Sequence, residues 1–212
     1  DEQDGYTLQI RCEWLREEEE RFLEFGLSLA NDRLFIKPTN SNLDGDDRIP
    51  RVAYLPPFAG MTDREVRTTG AIRRRRIGEG LAGAVLRNIL LDMQERNLEK
   101  RVQLRGEKTK ISDADLANLR ATDPWELLQQ NLRTTFDAEL DVATFREEYH
   151  SYIQVEVVRG ELQGFKLKRH PGYNKRDLMV EGSGLLQWLS VFALATDPEI
   201  DVPYMFISHE LE

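Results

Sequence analysis

The hydrophobic positions along the chain change period twice. Over YTLQIRCEW (6–14) and FLEFGLSLA (22–30) apolar residues occupy alternate positions, which predicts two antiparallel strands with the charged REEEER between them as an exposed turn. RLFIKPT and RVAYLP predict further short strands, and NSNLDGDDRIP between them gathers Asn, Asp and Gly into a polar loop. From Met61 the apolar spacing moves to threes and fours through TDREVRTTGAIRRRR and EGLAGAVLRNILLDMQERN. Ser112 and Asp123 stand as helix caps, the second followed by Pro124 at a first helical position, so a helical block is expected over roughly 62–149. YIQVEVVRGELQGFKLKRH returns to period two around a Gly-containing turn and predicts a hairpin. LLQWLSVFALA predicts a buried helix of about three turns stopped by TDP, and IDVPYMFI a strand interrupted or begun by Pro203.

The pattern therefore predicts an α/β class, α+β within this chain, with β-rich flanks around a helical lobe. Its three stretches are 1–60, 61–150 and 151–212. At 212 residues and 40% apolar content the chain is long enough to bury a core. A net charge of −9 excludes whole-surface attraction to nucleic acid or anionic membrane and leaves only local basic patches. The single cysteine, Cys12, excludes an intramolecular disulfide framework and points to a cytosolic (cytoplasmic) protein. No apolar run reaches the roughly 20 residues a bilayer requires. The chain opens at Asp1, without a methionine and directly before a strand-like alternation, which reads as the interior of a longer protein.

Few motifs carry chemistry. DGDD at 44–47 resembles the start of a calcium loop but lacks the alternating ligands and distant Glu of an EF-hand. His150, His170 and His209 are far apart, with no ligand cluster at metal spacing. GEGLAGAV at 78–85 has the glycine density of a phosphate loop without the following Lys and Ser or Thr, so close packing through small residues is the better reading. Arg73, Arg74, Arg75 and Arg76 concentrate positive charge that can contact phosphate, against a reading as a solvated or internally paired face, with Asp63, Glu65 and Glu79 nearby. In MVEGSG (179–184) a glycine-rich turn opens a helix, which presents unpaired N–H groups and the positive end of the helix dipole to an anion. Leu186 stands where a nucleophile elbow needs its second glycine, so Ser183 is not read as a hydrolase nucleophile.

Taken together, RIPRVAYLPPFAGMTDREVRTTGAIRRRRIGEGLAGAVLRNILLDM and VEGSGLLQWLSVFALATDPEIDV resemble the ABC/SMC-like AAA-family ATPases of the RecF, Rad50 and overcoming-lysogenization type, over about residues 48–202. The resemblance implies that 1–60 is a β-rich part of a nucleotide-binding lobe and 61–150 a helical lobe. It implies that 151–212 carries a hairpin, a signature loop and helix, and a terminal strand. In that family the signature loop touches the γ-phosphate of ATP held by the P-loop of the other subunit, and its helix leads into the Walker B strand. Gly182, Ser183 and Gly184 would be that loop, acting in trans, with ATP and Mg2+ as cofactors of the parent protein and a homodimer as the ATP-bound state.

The chain departs from the family in placing Val180 and Glu181, not Ser, before the first glycine. After IDV it reads PYMFISHELE in place of an Asp-Glu pair, with Glu210 a poor substitute. No segment fits G-x-x-x-x-G-K-[ST], so the chain alone is not expected to hydrolyse ATP or to hold nucleotide by itself. The family implies work on DNA or in phage defence. The alternative is a non-catalytic module that binds a protein, or nucleic acid through Arg73 to Arg76.

Overall fold

A computed structural model of the chain describes residues 8–16, 18–30, 33–45, 51–55, 61–172, 175–196 and 204–208. The chain divides into two compact units, Asp1–Ile49 and Pro50–Glu212. Helices and largely antiparallel sheets are mixed, as the two changes of period predict.

In the first unit β1 (Leu8–Arg16), β2 (Glu19–Ala30) and β3 (Arg33–Ser41) form an antiparallel sheet in chain order. REEEER is not the loop its charge suggests, because Arg16 pairs with Glu19 and Leu15 with Glu20. The connection shrinks to residues 17 and 18, with Glu18 left-handed at φ 70°. Backbone pairing is indifferent to charge where the side chains stand clear of the sheet, so the strands extend through the polar stretch. The register puts Ile10, Phe25, Cys12 and Leu23 on one face with Leu27 and Ile36, and Arg11, Glu13, Phe22 and Glu24 on the other. Arg11 stacks 3.9 Å above the Phe22 ring and bonds Glu24 at 2.8 Å, so the polar face is cross-linked from strand to strand.

The second unit begins with β4 (Arg51–Leu55), which pairs in parallel with β9 (Tyr204–Ser208), Arg51 opposite Tyr204. Between them run α1 (Gly70–Gly78), α2 (Leu86–Arg105), α3 (Asp113–Thr122), α4 (Pro124–Phe136), β5 (Ala138–Val142), β6 (Val155–Gln163), β7 (Lys166–Arg169), β8 (Arg176–Asp177) and α5 (Ser183–Ala195). Ser112 and Asp123 cap α3 and α4 as predicted, and Pro124 opens α4. The predicted helical block is too long at both ends. Residues 61–69 are irregular, and α1 starts only after Thr69, whose Oγ1 accepts from the Ile72 N–H. At the other end Asp137 turns left-handed at φ 50° and stops α4, after which Ala138, Leu140 and Val142 alternate inward as β5.

GEGLAGAV packs as the small-residue reading expects: Ala82 to Val85 form a buried 3-10 turn leading into α2. The core joins Leu86, Ile89 and Leu90 of α2 to Leu128 and Leu132 of α4, Val155 and Val157 of β6, and Leu189 and Ala193 of α5. Trp188 stacks on Phe192 and meets Phe136 edge-on at 5.2 Å, which fixes α5 against the end of α4.

β6 and β7 close through the two-residue turn Gly164–Phe165, with positive φ at Gly164 (63°) and not at Phe165, as a type II′ hairpin requires. Further along, a Cβ on Gly160 would lie 2.2 Å from the Lys168 carbonyl oxygen, so only glycine lets β7 approach β6 there. Gly160→Ala is expected to cost about 2 kcal/mol. It should speed amide exchange across Lys166–Arg169 while leaving the amides of α4 unchanged.

Candidate functional site

The start of α5 is built by the segment that precedes it. Asp177 accepts from the Met179 N–H at 2.8 Å and turns the chain through a 3-10 turn over Leu178–Val180. The same carboxylate pairs at 2.6 Å with Arg87 of α2, whose side chain is only 1% exposed. Arg87 also donates to the Thr62 carbonyl at 2.7 Å, tying residues 61–62, α2 and the approach to α5 into one buried junction. Leu178 is fully buried beneath that turn.

Beyond it the loop opens. Gly182 caps α5 at φ −64° and ψ 149° without any side-chain capping bond. The N–H groups of Leu185 and Leu186 return to the Gly182 carbonyl, whereas those of Gly182, Ser183 and Gly184 donate to no described residue. All three residues are exposed, and a Cβ on Gly182 or Gly184 would meet nothing within 4 Å. Neither internal crowding nor an unusual φ requires glycine here, so its effect is to leave the helix end uncovered. No acidic residue stands in the first turn of α5.

Among the described residues, Glu181 is the acid directly adjacent to this helix end. Its carboxylate is turned inward, 8% exposed, and ion-paired with Arg159 of β6. Arg159 also donates to the Phe136 carbonyl at 2.7 Å, at the C-terminal end of α4. The charge of Glu181 is thus neutralised by a cation from the sheet. The exposed groups at the loop are three N–H donors and the Ser183 hydroxyl, a donor set that suits a phosphate oxygen.

The arginine run lies elsewhere, on α1, and is largely engaged. Arg73 pairs with Asp92 at 2.7 Å and donates to the Thr68 carbonyl at 3.0 Å, and Arg75 pairs with Glu79 at 2.8 Å one turn on. Asp92 also holds Arg67 at 2.5 Å, and the Arg64 guanidinium lies over the Tyr152 ring. Glu79 is the neighbour that neutralises part of the run. Glu65 instead serves the N-terminus of α2, accepting from the Arg87 and Asn88 N–H groups at 3.0 and 2.8 Å and from the Asn88 side-chain amide at 2.7 Å. Burial pushes the Glu65 carboxyl above its ordinary pKa, against the pull of those donors.

His150 accepts from the Arg146 N–H at 2.9 Å, and the described residues contain no group of three His, Cys, Asp or Glu that could hold a metal. His209 and Glu210 lie outside the described residues, as do Asp46 and Asp47 of DGDD. No helix among the described residues is long and apolar enough to cross a membrane. The chain matches no family model, curated protein or solved structure.

Proposed function

We propose that this chain belongs to the head of an ABC-like ATPase, in which Gly182, Ser183 and Gly184 close an ATP site held by a second copy in a homodimer that works in DNA repair or phage defence. The observation that carries the reading is the start of α5, where three unpaired N–H groups and a hydroxyl face open space and the adjacent Glu181 is tied back by Arg159. Two further features support it. In chain order the helix that opens on this loop is followed by β9, and β9 lies parallel to β4, the order that a signature helix, Walker B strand and neighbouring core strand would have.

In this reading ATP with Mg2+ supplies a terminal phosphate whose charge the loop meets. The chain's own part is to present N–H dipoles already oriented by α5, so that little reorganisation accompanies closure. Arg159 removes the repulsion that Glu181 would otherwise exert, and the Arg87 to Asp177 junction ties the loop's approach to α2.

The gene tests the premise: G-x-x-x-x-G-K-[ST] after a strand is expected upstream of Asp1, and a natural start at Asp1 sinks the reading. In the full-length protein Gly184→Glu sets a carboxylate at the helix end. We expect it to weaken ATP-dependent dimerisation by on the order of tenfold or more in sedimentation. Its melting temperature should not fall below that of the parent, because a Cβ at 184 meets nothing within 4 Å and a carboxylate suits the first turn of a helix. Undiminished dimerisation would remove the loop from the ATP site.

A further inference from the structure

Among the described residues, positive charge without an ion pair gathers on the β6–β7 hairpin, as it also does at Arg105, Lys108 and Lys110 at and just beyond the end of α2. Lys166, Lys168 and Arg169 are exposed on β7, the last strand of the order β5-β6-β7, and none makes an ion pair with a described residue. The nearest acid across the ladder is Glu161, opposite Lys168, and it takes part in no ion pair among the described residues. This contrasts with α1, where Asp92 and Glu79 hold Arg73 and Arg75.

The tip of the hairpin is aromatic. Phe165 is 70% exposed, and the Arg120 guanidinium of α3 lies 5.2 Å from its ring centroid. Beside the ring a recess of about 100 Å³ is lined by Glu126, Gln130, Arg133 and Thr134 of α4 and by Leu162, with Glu126 held by Arg101 and Arg133 by Glu139. The Gln130 side-chain amide is exposed and bonds to no described residue. Lysines on an edge strand by themselves serve to keep other strands from pairing with it. They give no reason for a phenyl ring that is 70% exposed at the turn, or for the recess next to it.

We propose that the β6–β7 hairpin binds single-stranded nucleic acid, with a base stacked on Phe165 beside the recess and the phosphates met by Lys166, Lys168 and Arg169. Stacking on an aromatic ring flanked by backbone-tracking cations is the general chemistry of single-strand binding, and an exposed ring has no use on an intact, fully stacked duplex. The surface stands independently of any ATP site: it needs neither nucleotide nor a second subunit.

The test is fluorescence anisotropy of the full chain with a labelled oligothymidylate, without ATP, over a salt series. Binding at about 50 mM salt is expected, with affinity falling steeply toward about 200 mM. Phe165→Ala should weaken binding about tenfold at every salt concentration. The triple variant Lys166→Gln, Lys168→Gln, Arg169→Gln should lower the slope of log affinity against log salt by about two, at about 0.7 per lost phosphate contact. Arg75→Gln with Arg76→Gln should change neither. All these positions are on the surface, and an unchanged melting curve confirms that each variant folds. Absence of binding by the parent at low salt overturns the proposal, as does equal binding to duplex or to polyglutamate, or indifference to both hairpin variants.

Discussion

Glu65→Ala is expected to destabilise the second unit by about 3 kcal/mol, because it leaves three buried donors without an acceptor. Glu65 is 3% exposed and replaces the cap that the sequence of α2 does not supply: Val85, at the N-cap position, offers no side-chain bond. Its two oxygens take the first N–H groups of α2, from Arg87 and Asn88, and the Asn88 amide, which in turn donates to the Val66 carbonyl at 2.9 Å and accepts from the Thr68 N–H. Removing the carboxylate therefore disturbs the start of α2 and the irregular segment that lies over it. Urea unfolding followed by circular dichroism measures the loss.

The same residue makes a pH dependence. Burial raises the Glu65 pKa, so the folded state binds its proton more readily than the unfolded chain does. The favourable contribution is complete below the ordinary carboxylate pKa and is lost as pH rises through the raised folded value. Glu65→Gln removes that slope at the cost of one mismatched donor, since an amide nitrogen replaces one acceptor oxygen. Relative to this variant, the parent should lose stability on going from about pH 4 to neutrality. A constant difference across that range would show that Glu65 titrates normally.

Asp123→Ala is the second large effect, expected at about 3 kcal/mol. The carboxylate is 2% exposed and bonds the Trp125 N–H at 3.0 Å as the cap of α4. It also accepts from the Asn97 amide at 2.9 Å and pairs with Lys100 at 2.8 Å, both on α2. One side chain thus starts α4 and joins it to α2. Asp123→Asn retains a capping oxygen but exchanges the other acceptor for a donor facing Lys100, so it should recover only part of the loss. A thermal midpoint that falls by about 2–4 °C per kcal/mol reads both variants. If Asp123→Ala cost no more than an ordinary exposed cap, the link to α2 would contribute nothing.

The cap itself was legible, because Asp123 followed by Pro124 announces a helix start through local backbone chemistry. The link from Asp123 to Asn97 and Lys100 was not, because it joins residues 23 to 26 positions apart on different elements. Glu65 shows the limit more sharply. In sequence it stands beside the arginine run and looks like its counter-charge, and only the path of residues 61–69 carries it to α2 instead. The basic hairpin shows it from the other side: six basic residues occur between Arg159 and Arg176, yet pairing separates Arg159 and Lys175, held by Glu181 and Asp141, from the three exposed on β7.

By itself the sequence determined what depends on neighbours along the chain: the periods of the strands and helices, the caps at Ser112 and Asp123, a Gly-containing hairpin turn, and an uncovered glycine-rich start to α5. Tertiary structure decided the parallel pairing of β4 with β9, the end of the helical block at Asp137, the burial of Glu65 and Arg87, and which cations are engaged. Local periodicity fixes which face of an element is apolar, but the partner of a charge is set by whichever buried donor or acceptor would otherwise be left unsatisfied, and that is known only once distant segments are packed together.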